Sequence, residues 1–209
     1  MATPARPDRP LTVEEYLEWE KRSPRKHEYV AGHVYAMSGV KIRHAQIVRN
    51  LAVRLAAATG DGPCQVLFND VKLQAAHDKI YYPDAMVLCL SLDEDAYIVS
   101  DPCLVVEVLS PSTQRTDRGE KLDAYRAVPS LRAYLIVEQK ERLIERHWRD
   151  ASGEWQRETV TDLSAEPAIP VPCPETVLTL DEIYRGTNAR RVDEPRRPGP
   201  QRVRERAPA

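Results

Sequence analysis

Two acidic residues interrupt segments that are otherwise apolar. Asp84 follows Tyr-Pro and precedes the run Ala-Met-Val-Leu, and Glu107 stands inside Leu-Val-Val-Glu-Val-Leu. A carboxylate in a central strand is costly to bury unless it is paired or binds a cation. Two such carboxylates on neighbouring strands could hold a hard divalent ion such as Mg2+ or Mn2+, which takes oxygen ligands and can activate water or polarise a phosphoryl oxygen. The pair therefore indicates a metal-dependent hydrolytic site.

A purely structural interpretation of these acids stays open. Glu107 could pair with an arginine, or it could occupy an exposed strand position beside a polar partner. The functional interpretation predicts that the carboxylates of Asp84 and Glu107 approach within about 6 Å, close enough to share one ion.

Lys121 is the third candidate. In a helix predicted over residues 114–128, positions 121, 125 and 128 share one face, so Lys121 should point towards the sheet. A lysine there could stabilise charge that develops during phosphoryl transfer, or orient a water molecule. It could equally extend its stem across apolar surface to solvent, or pair with Asp117 one turn earlier.

Two further residues could support this site. His44 opens the inward stripe of a helix predicted over residues 43–59, where it is either a group near the substrate or a hydrogen-bonded core histidine. Glu28 lies in a predicted hairpin strand, where it is either a supporting acid or a partner for Arg25 or Lys26. The residues alone do not decide between these roles.

The elements that would position these residues follow from hydrophobic periodicity and turn signals. Thr12 and Glu15 form a capping box that begins a short amphipathic helix. The later predicted elements are a hairpin over 27–37, a helix over 43–59, strands over 64–74, 80–90 and 103–110, a helix over 114–128, strands over 131–138, 143–148 and 153–160, a Pro-rich connection over 165–175 and a short helix over 178–184. This order predicts an α/β fold in the broad sense, an α+β mixed sheet with helices on its faces.

Length and composition limit the domain organisation. The chain has 209 residues, 42% hydrophobic and 30% charged, which is ordinary for one folded domain. We expect a flexible N-terminus over 1–11, a domain over 12–186 and a disordered Arg- and Pro-rich tail over 187–209. No apolar run approaches the roughly 18–20 residues of a membrane helix, and the start lacks the apolar core of a signal peptide, so we expect a cytoplasmic protein without a membrane partner.

Charge is unevenly distributed. From Ala189 onward, seven arginines face three acidic residues, which gives the tail +4 and leaves −6 on the rest of a chain whose net charge is −2. An acidic body argues against a protein that coats DNA by neutralising its phosphates. A nucleic acid would have to be bound locally or by the tail.

The four cysteines, Cys64, Cys89, Cys103 and Cys173, show no C-x-x-C spacing. Three of them lie in or beside apolar runs, where a thiol packs as a small hydrophobe. The sequence therefore predicts reduced, structural cysteines, and its spacing does not indicate a zinc site.

A longer pattern surrounds the candidate residues. The segment DPCLVVEVLSPST (residues 101–113), followed by DRGEKL (117–122) and Tyr125, resembles a bacterial family regarded as restriction endonucleases of the PD-(D/E)XK type. The element Tyr-Pro-Asp ending at Asp84 fits the Pro-Asp motif of that family, and EYVAG (28–32) with His44 fits its front part. The resemblance covers about residues 12–185.

The resemblance implies a restriction-endonuclease-like αβββαβ core with an N-terminal helix and β-hairpin and extra C-terminal strands. It also implies that Asp84 and Glu107 bind Mg2+, with the Val108 carbonyl as a further ligand, in an enzyme that cleaves DNA phosphodiesters. The lysine that the superfamily pattern places two residues after the glutamate is Leu109 here. Lys121 would have to take its role.

Alternative functions remain. A noncatalytic nucleic-acid-binding or regulatory domain that retains the nuclease fold would explain the acidic body and the missing lysine. A serine hydrolase that uses Ser110 is disfavoured, because no G-x-S-x-G elbow surrounds this serine. Cutting both strands of a duplex takes two active sites or two successive events, so a homodimer is compatible with the nuclease interpretation.

Overall fold

Two β-sheets, one small β-hairpin and five helices make up the residues that the structure, a computed structural model, describes: 7, 9–111 and 113–192. The first half consists of α1 (Val13–Glu20), β1 (His27–Val30), β2 (His33–Ala36), α2 (Ile42–Thr59), β3 (Gln65–Phe68), β4 (Lys72–Ala76), β5 (Lys79–Tyr81), β6 (Ala85–Leu88) and β7 (Ile98–Val99). The second half consists of β8 (Leu104–Val108), α3 (Gln114–Asp117), α4 (Glu120–Arg126), β9 (Ala133–Val137), β10 (Leu143–Arg149), β11 (Trp155–Thr161), β12 (Ala168–Pro172), β13 (Glu175–Thr179) and α5 (Leu180–Ile183).

The larger sheet is mixed and has helices on both faces. Its strand order is β11-β10-β9-β8-β6-β3, with β8 parallel to β9 and the other pairs antiparallel. Side chains of β8 alternate between the faces: Val106 packs with residues of α2, whereas Val105 packs with residues of α4. The succession α2, β3, β6, β8, α3–α4, β9 confirms the predicted αβββαβ core.

The smaller sheet has the order β2-β1-β5-β4-β7 and is partly built from chain that was predicted to lie in the larger one. The predicted strand 64–74 is two strands, because Asn69 and Asp70 adopt positive φ angles of 52° and 40° and turn the chain from β3 into β4. The predicted strand 80–90 likewise divides into β5 and β6 at Pro83, which cannot donate a ladder hydrogen bond. Strands β4 and β5 are therefore an excursion from the core.

Short-range signals were more reliable at the N-terminal helix and hairpin. Thr12 accepts a hydrogen bond from the Glu15 N–H, and the Glu15 side chain accepts one from the Thr12 N–H, which confirms the capping box. Ala31 and Gly32 have φ angles of 48° and 87°, as a two-residue turn between β1 and β2 requires.

Two predictions farther along the chain were wrong in detail. The predicted helix 114–128 is the pair α3 and α4, interrupted at Gly119. The predicted connection 165–175 contains β12, which pairs with β13 and carries Pro170 within it. A proline is tolerated in a two-stranded sheet because one edge of each strand needs no hydrogen bond.

The ends of the described chain are better packed than the sequence suggested. The Leu11 N–H donates to the Gly32 carbonyl at 2.9 Å, although residue 11 was assigned to the flexible N-terminus. Arg190, assigned to the disordered tail, pairs its backbone with Lys140 and Arg142. Residues 1–6, 8 and 193–209, the remainder of those two predicted segments, lie outside the described residues. Within the described chain, no helix has the length and apolar character to cross a membrane.

The cysteines also differ from the prediction. Disulfides join Cys64 to Cys89 and Cys103 to Cys173, so the expectation of reduced thiols is wrong for this structure. All four sulfurs lie together at one end of the larger sheet. Sequence spacing could not reveal this cluster, because each cysteine comes from a different segment.

Candidate active site

Asp84 and Glu107 lie where two adjacent strands of the larger sheet meet α4. Asp84 immediately precedes β6, Glu107 is in β8, and the antiparallel register pairs Ala85 with Val106. The Asp84 Oδ2 accepts a hydrogen bond from the Val108 N–H at 2.7 Å. The structure thus brings the two predicted acids and Val108 to the same end of β8.

Glu107 is buried, and its two oxygens differ in their surroundings. Oε1 accepts hydrogen bonds from the Lys121 Nζ at 3.0 Å and from the Tyr125 hydroxyl at 2.9 Å. Oε2 accepts none from the described residues, although Glu107 is only 4% exposed. The lone pairs of Oε2 therefore receive no protein donor and could bind a cation.

Lys121 points into the protein, as its helical phase predicted. Its Nζ lies 2.8 Å from the Glu28 Oε1, 3.0 Å from the Glu107 Oε1 and 3.4 Å from the Asp117 Oδ1. The side chain is 3% exposed, so the interpretation of a lysine that reaches solvent is wrong, whereas pairing with Asp117 does occur. Burial lowers the pKa of Lys121, but the charges of Glu107, Glu28 and Asp117 outweigh it and hold this pKa well above its usual value. Lys121 is therefore protonated in this arrangement and brings positive charge to the carboxylates.

Negative charge exceeds positive charge around this lysine. Burial raises the pKa of Glu107 well above its usual value; Lys121 opposes the rise, and Asp117, Asp84 and Glu28 add to it. Burial also raises the pKa of Asp117, again against Lys121. Three carboxyl groups thus contact one ammonium group, and Asp84 adds a fourth negative charge near Glu107, an arrangement that favours an additional cation.

His44 joins the site from the first turn of α2. Its Nε2 lies 2.9 Å from the Asp84 Oδ1, and its Nδ1 lies 3.3 Å from the Gln139 Nε2, which also donates to the Leu109 carbonyl at 2.5 Å. Because an amide nitrogen can only donate, we assign Nδ1 as the acceptor and Nε2–H as the donor to Asp84. His44 is buried and hydrogen-bonded, so it is a core histidine that also orients a candidate metal ligand.

Glu28 reaches the site from β1 in the smaller sheet. It pairs with Lys121 and also lies 3.4 Å from the backbone N–H of Tyr82. The alternative partner Lys26 contacts Asp70 instead. Glu28 therefore lies beside Lys121 and not beside Lys26.

Sequence reasoning missed two residues of this constellation, Gln139 and Tyr125. Gln139 is a polar residue two positions after the end of β9, and it comes near the site because β9 lies beside β8. The sequence gives only a weak signal for it. Tyr125 shares a helical face with Lys121, and that shared face could have identified it. Burial first, and then Glu107, raise the pKa of Tyr125, so its hydroxyl remains a neutral donor to Glu107.

A cavity of about 140 Å³ opens beside these residues. It is lined by Leu109, Ser110 and Gln139 at the ends of β8 and β9, and by the cationic side chains of Lys41, Arg43 and Lys140. Lys41 and Lys140 are exposed. The Ser110 hydroxyl accepts from the Thr113 N–H, which gives this serine a role in the turn before α3. Glu138 also lines the cavity, whereas Asp84 and Glu107 do not; Gln139, which does, contacts His44. The three cationic side chains suit an anionic ligand.

Comparison with known proteins gives these observations a context. A sequence profile of the Uma2 family, described as "Putative restriction endonuclease", matches residues 13–181. Two relatives come from Synechocystis sp. (strain ATCC 27184 / PCC 6803 / Kazusa). "Uncharacterized protein slr1290" is 34% identical over 186 residues, covering 88% of this chain and 96% of the relative, and "Uncharacterized protein sll1609" is 30% identical over 162 residues, covering 76% and 90%.

A solved structure shares the fold. It is the crystal structure of "a putative nuclease belonging to DUF820" from Anabaena variabilis ATCC 29413, with a TM-score of 0.68 and 16% sequence identity, and the match covers 84% of this chain and 98% of that one. At this identity the likeness concerns the fold, which is the restriction-endonuclease-like fold predicted from the sequence. The profile match spans most of the chain, and this protein therefore belongs to the Uma2 family.

Proposed function

We propose that this protein is a metal-dependent endonuclease that hydrolyses DNA phosphodiester bonds. The observation that carries the proposal is the convergence of Asp84, Glu107 and Val108 at one strand end, where the hydrogen bonds that Glu107 accepts from the described residues all go to Oε1 and leave Oε2 for a cation. Membership of a family described as restriction endonucleases supports the same reaction class. In this proposal the acids serve as ligands and are not merely structural.

The donor set fits a hard divalent cation. Asp84 and Glu107 would hold Mg2+, or Mn2+ in its place, together with the Val108 carbonyl, because these ions take oxygen ligands. Each Asp84 oxygen already accepts one hydrogen bond but has a second lone pair. The bound ion would polarise a phosphoryl oxygen and lower the pKa of a water molecule.

Lys121 would replace the lysine that the superfamily pattern places at position 109. Residue 109 is two positions beyond Glu107, so it projects to the same face of β8, which α4 covers. Leu109 packs there against Tyr125. A lysine on α4 therefore approaches Glu107 from the side on which a lysine at 109 would project, and its charge stabilises the negative charge that develops on the phosphate.

Three other side chains would position this machinery. His44 orients Asp84, Tyr125 orients Glu107, and Glu28 holds the Lys121 ammonium group. Hydrogen bonds to the metal ligands restrict the rotamers of these side chains. They thereby lower the free-energy cost of ordering the ligands around an ion.

The substrate would approach through the cationic cavity. Lys41, Arg43 and Lys140 provide local phosphate contacts although the body of the chain is acidic. A homodimer would present two such sites to the two strands of a duplex, and the cytoplasm is where we expect the protein to meet DNA.

A cleavage assay tests the proposal. Supercoiled plasmid is incubated with Mg2+ or Mn2+ and with the wild-type protein, Asp84→Ala, Glu107→Gln or Lys121→Ala. We expect a loss of at least about 100-fold for the first two variants and a reduction of about 100- to 1,000-fold for the third, the scale of one transition-state contact. Glu94→Gln, an exposed acid, is the control that retains activity.

One observation favours a second candidate, a noncatalytic nucleic-acid-binding or regulatory domain. The Lys121 ammonium group lies within 3.4 Å of three carboxylates, so its charge is already shared among protein groups in this arrangement. This candidate predicts no metal-dependent cleavage by the wild type and unchanged nucleic-acid affinity in Asp84→Ala. Equal cleavage by wild type and all variants would instead identify a contaminating nuclease and defeat the endonuclease proposal.

A further inference from the structure

The four cysteines of the chain form a second constellation at the end of the larger sheet remote from Asp84 and Glu107. Cys64 precedes β3, Cys89 follows β6, Cys103 precedes β8, and Cys173 lies in the turn between β12 and β13. Asp84 precedes β6 and Glu107 is near the end of β8, so the lengths of these strands separate the cysteines from the acids by roughly 15 Å at ~3.3 Å per residue. The two groups are independent sites.

The sulfurs contact each other across the two disulfides as well as within them. Cys89 Sγ lies 3.1 Å from Cys173 Sγ and 3.5 Å from Cys103 Sγ, although Cys89 is bonded to Cys64. The sulfurs of Cys64, Cys89 and Cys173 all lie within 4.8 Å of one another. Among His, Cys, Asp and Glu side chains of the described residues, these three form the group compact enough to share a metal ion. Two independent disulfides would not require the sulfurs of one disulfide to contact the sulfurs of the other.

The convergence of four cysteines supplies the ligand set of a closed tetrahedral zinc site. Zinc binds four cysteine thiolates at about 2.3 Å, which places the sulfurs about 3.8 Å apart. The contacts of Cys89 with Cys173 and Cys103, at 3.1 and 3.5 Å, lie near that separation. After reduction the two bonded pairs would have to move apart and Cys103 would have to approach Cys64. Four protein ligands leave no open position for substrate, which is the coordination of structural rather than catalytic zinc.

We propose that the four cysteines, when reduced, bind one structural Zn2+. The disulfides and the zinc-bound thiolates are then two states of one preorganised cluster. Cys103 and Cys173 are buried, whereas Cys89 is exposed, so reductant and metal have a route to the sulfurs. The ion would tie β3, β6 and β8 to the β12–β13 hairpin. The spacing of the cysteines in the sequence did not indicate zinc, so the proposal rests on their convergence in the fold.

The test uses the full chain, reduced with a phosphine, freed of metal and then titrated with Zn2+ or Co2+. We expect one ion per chain, the charge-transfer and ligand-field bands of a tetrahedral cobalt thiolate, and displacement of cobalt by zinc. Zinc should also slow alkylation of all four thiols together, by at least about tenfold, because coordinated thiolates are poor nucleophiles. A fully reduced wild-type protein that binds no zinc, or whose thiols are alkylated equally fast with and without zinc, would overturn the proposal.

Two variants separate this site from the acidic one. Cys103→Ser with Cys173→Ser should abolish stoichiometric zinc binding, whereas Asp84→Ala should leave it unchanged. Retention of zinc by the double cysteine variant, or its loss in Asp84→Ala, would also contradict the assignment. The alkylation measurement uses the wild type alone, so it decides the matter even where a cysteine variant does not fold.

Discussion

The Lys121 ammonium group lies 3.0 Å from the Glu107 carboxylate inside the protein, with both side chains almost fully buried. A buried ion pair gains little when it is formed, because both charges lose their hydration, but removing one partner leaves an uncompensated charge. Removal of Lys121 would also leave Glu28 and Asp117 without their cation, which increases the cost. The stability of the protein and its proposed chemistry therefore depend on the same lysine.

We expect Lys121→Met to lower the free energy of unfolding by about 3–5 kcal/mol at neutral pH, because carboxylates would be left without their cation. The loss should shrink in acid: as the pH falls towards the pKa of unfolded carboxyl groups, both states take up protons and the repulsion disappears. Urea unfolding at neutral and acidic pH measures both effects. The control is Lys79→Met, whose partially exposed pair with Glu120 should contribute about 1 kcal/mol or less. A Lys121→Met protein as stable as the Lys79→Met protein would contradict this account.

His44→Gln should weaken metal use more than folding. The imidazole orients Asp84, and loss of a group that orients a ligand typically costs about 10- to 100-fold in metal affinity or activity. Cleavage measured against Mg2+ concentration should show a midpoint displaced to higher concentration, with cleavage partly recovered at saturation. His33→Gln, at an exposed position of β2, is the matched control. An unchanged midpoint in His44→Gln would show that the histidine only fills the core.

His147 should make the protein less stable in mild acid. Burial first, and then the charges of Arg126 and Arg157, lower its pKa from 6.5 to about 4. Between these values the unfolded state binds a proton that the folded state does not, so stability falls as the pH falls from 6.5 towards 4. The full change is on the order of 3 kcal/mol, because a pKa difference of 1 corresponds to about 1.4 kcal/mol.

The test compares His147→Phe with His77→Phe, a histidine whose side chain is 92% exposed. Unfolding free energies across that pH interval should vary less in His147→Phe than in the wild type, because phenylalanine takes up no proton. His77→Phe should retain the wild-type slope. Parallel curves for all three proteins would exclude His147 as the cause.

Lys140→Ala should weaken DNA binding through phosphate contacts near the cavity. Each lost contact reduces the slope of log affinity against log salt by about 1, with little dependence on base sequence. Arg132→Ala is a control of equal charge: this exposed residue precedes β9, whereas Lys140 follows it, so the two lie near opposite ends of the strand. Binding of labelled DNA in Ca2+ at several salt concentrations gives the slopes. Equal slopes for the two variants would show that DNA does not bind at the cavity.

Several structural features followed from local sequence. The Thr12 capping box specifies the start of α1 because its hydrogen bonds join residues three apart. Lys121 points inward because of the regular helical repeat of α4. The break at Gly119 lies before α4, so it does not disturb this repeat. Local sequence could not predict that the strand 64–74 divides into two strands. Its apolar side chains are compatible with either sheet. The positive φ angles at Asn69 and Asp70 depend on the position of the following strand.

By itself, the sequence determined the αβββαβ order and the presence of two acids that burial would make costly, since hydrophobic period and polar interruption are properties of neighbouring residues. Only the tertiary structure decided what meets those acids. Glu28 comes from the other sheet and Gln139 from the end of β9, and the four cysteines converge from separate segments. Contacts of this kind depend on strand order and register. These are set by the packing of the whole core and cannot be predicted from the spacing of neighbouring residues.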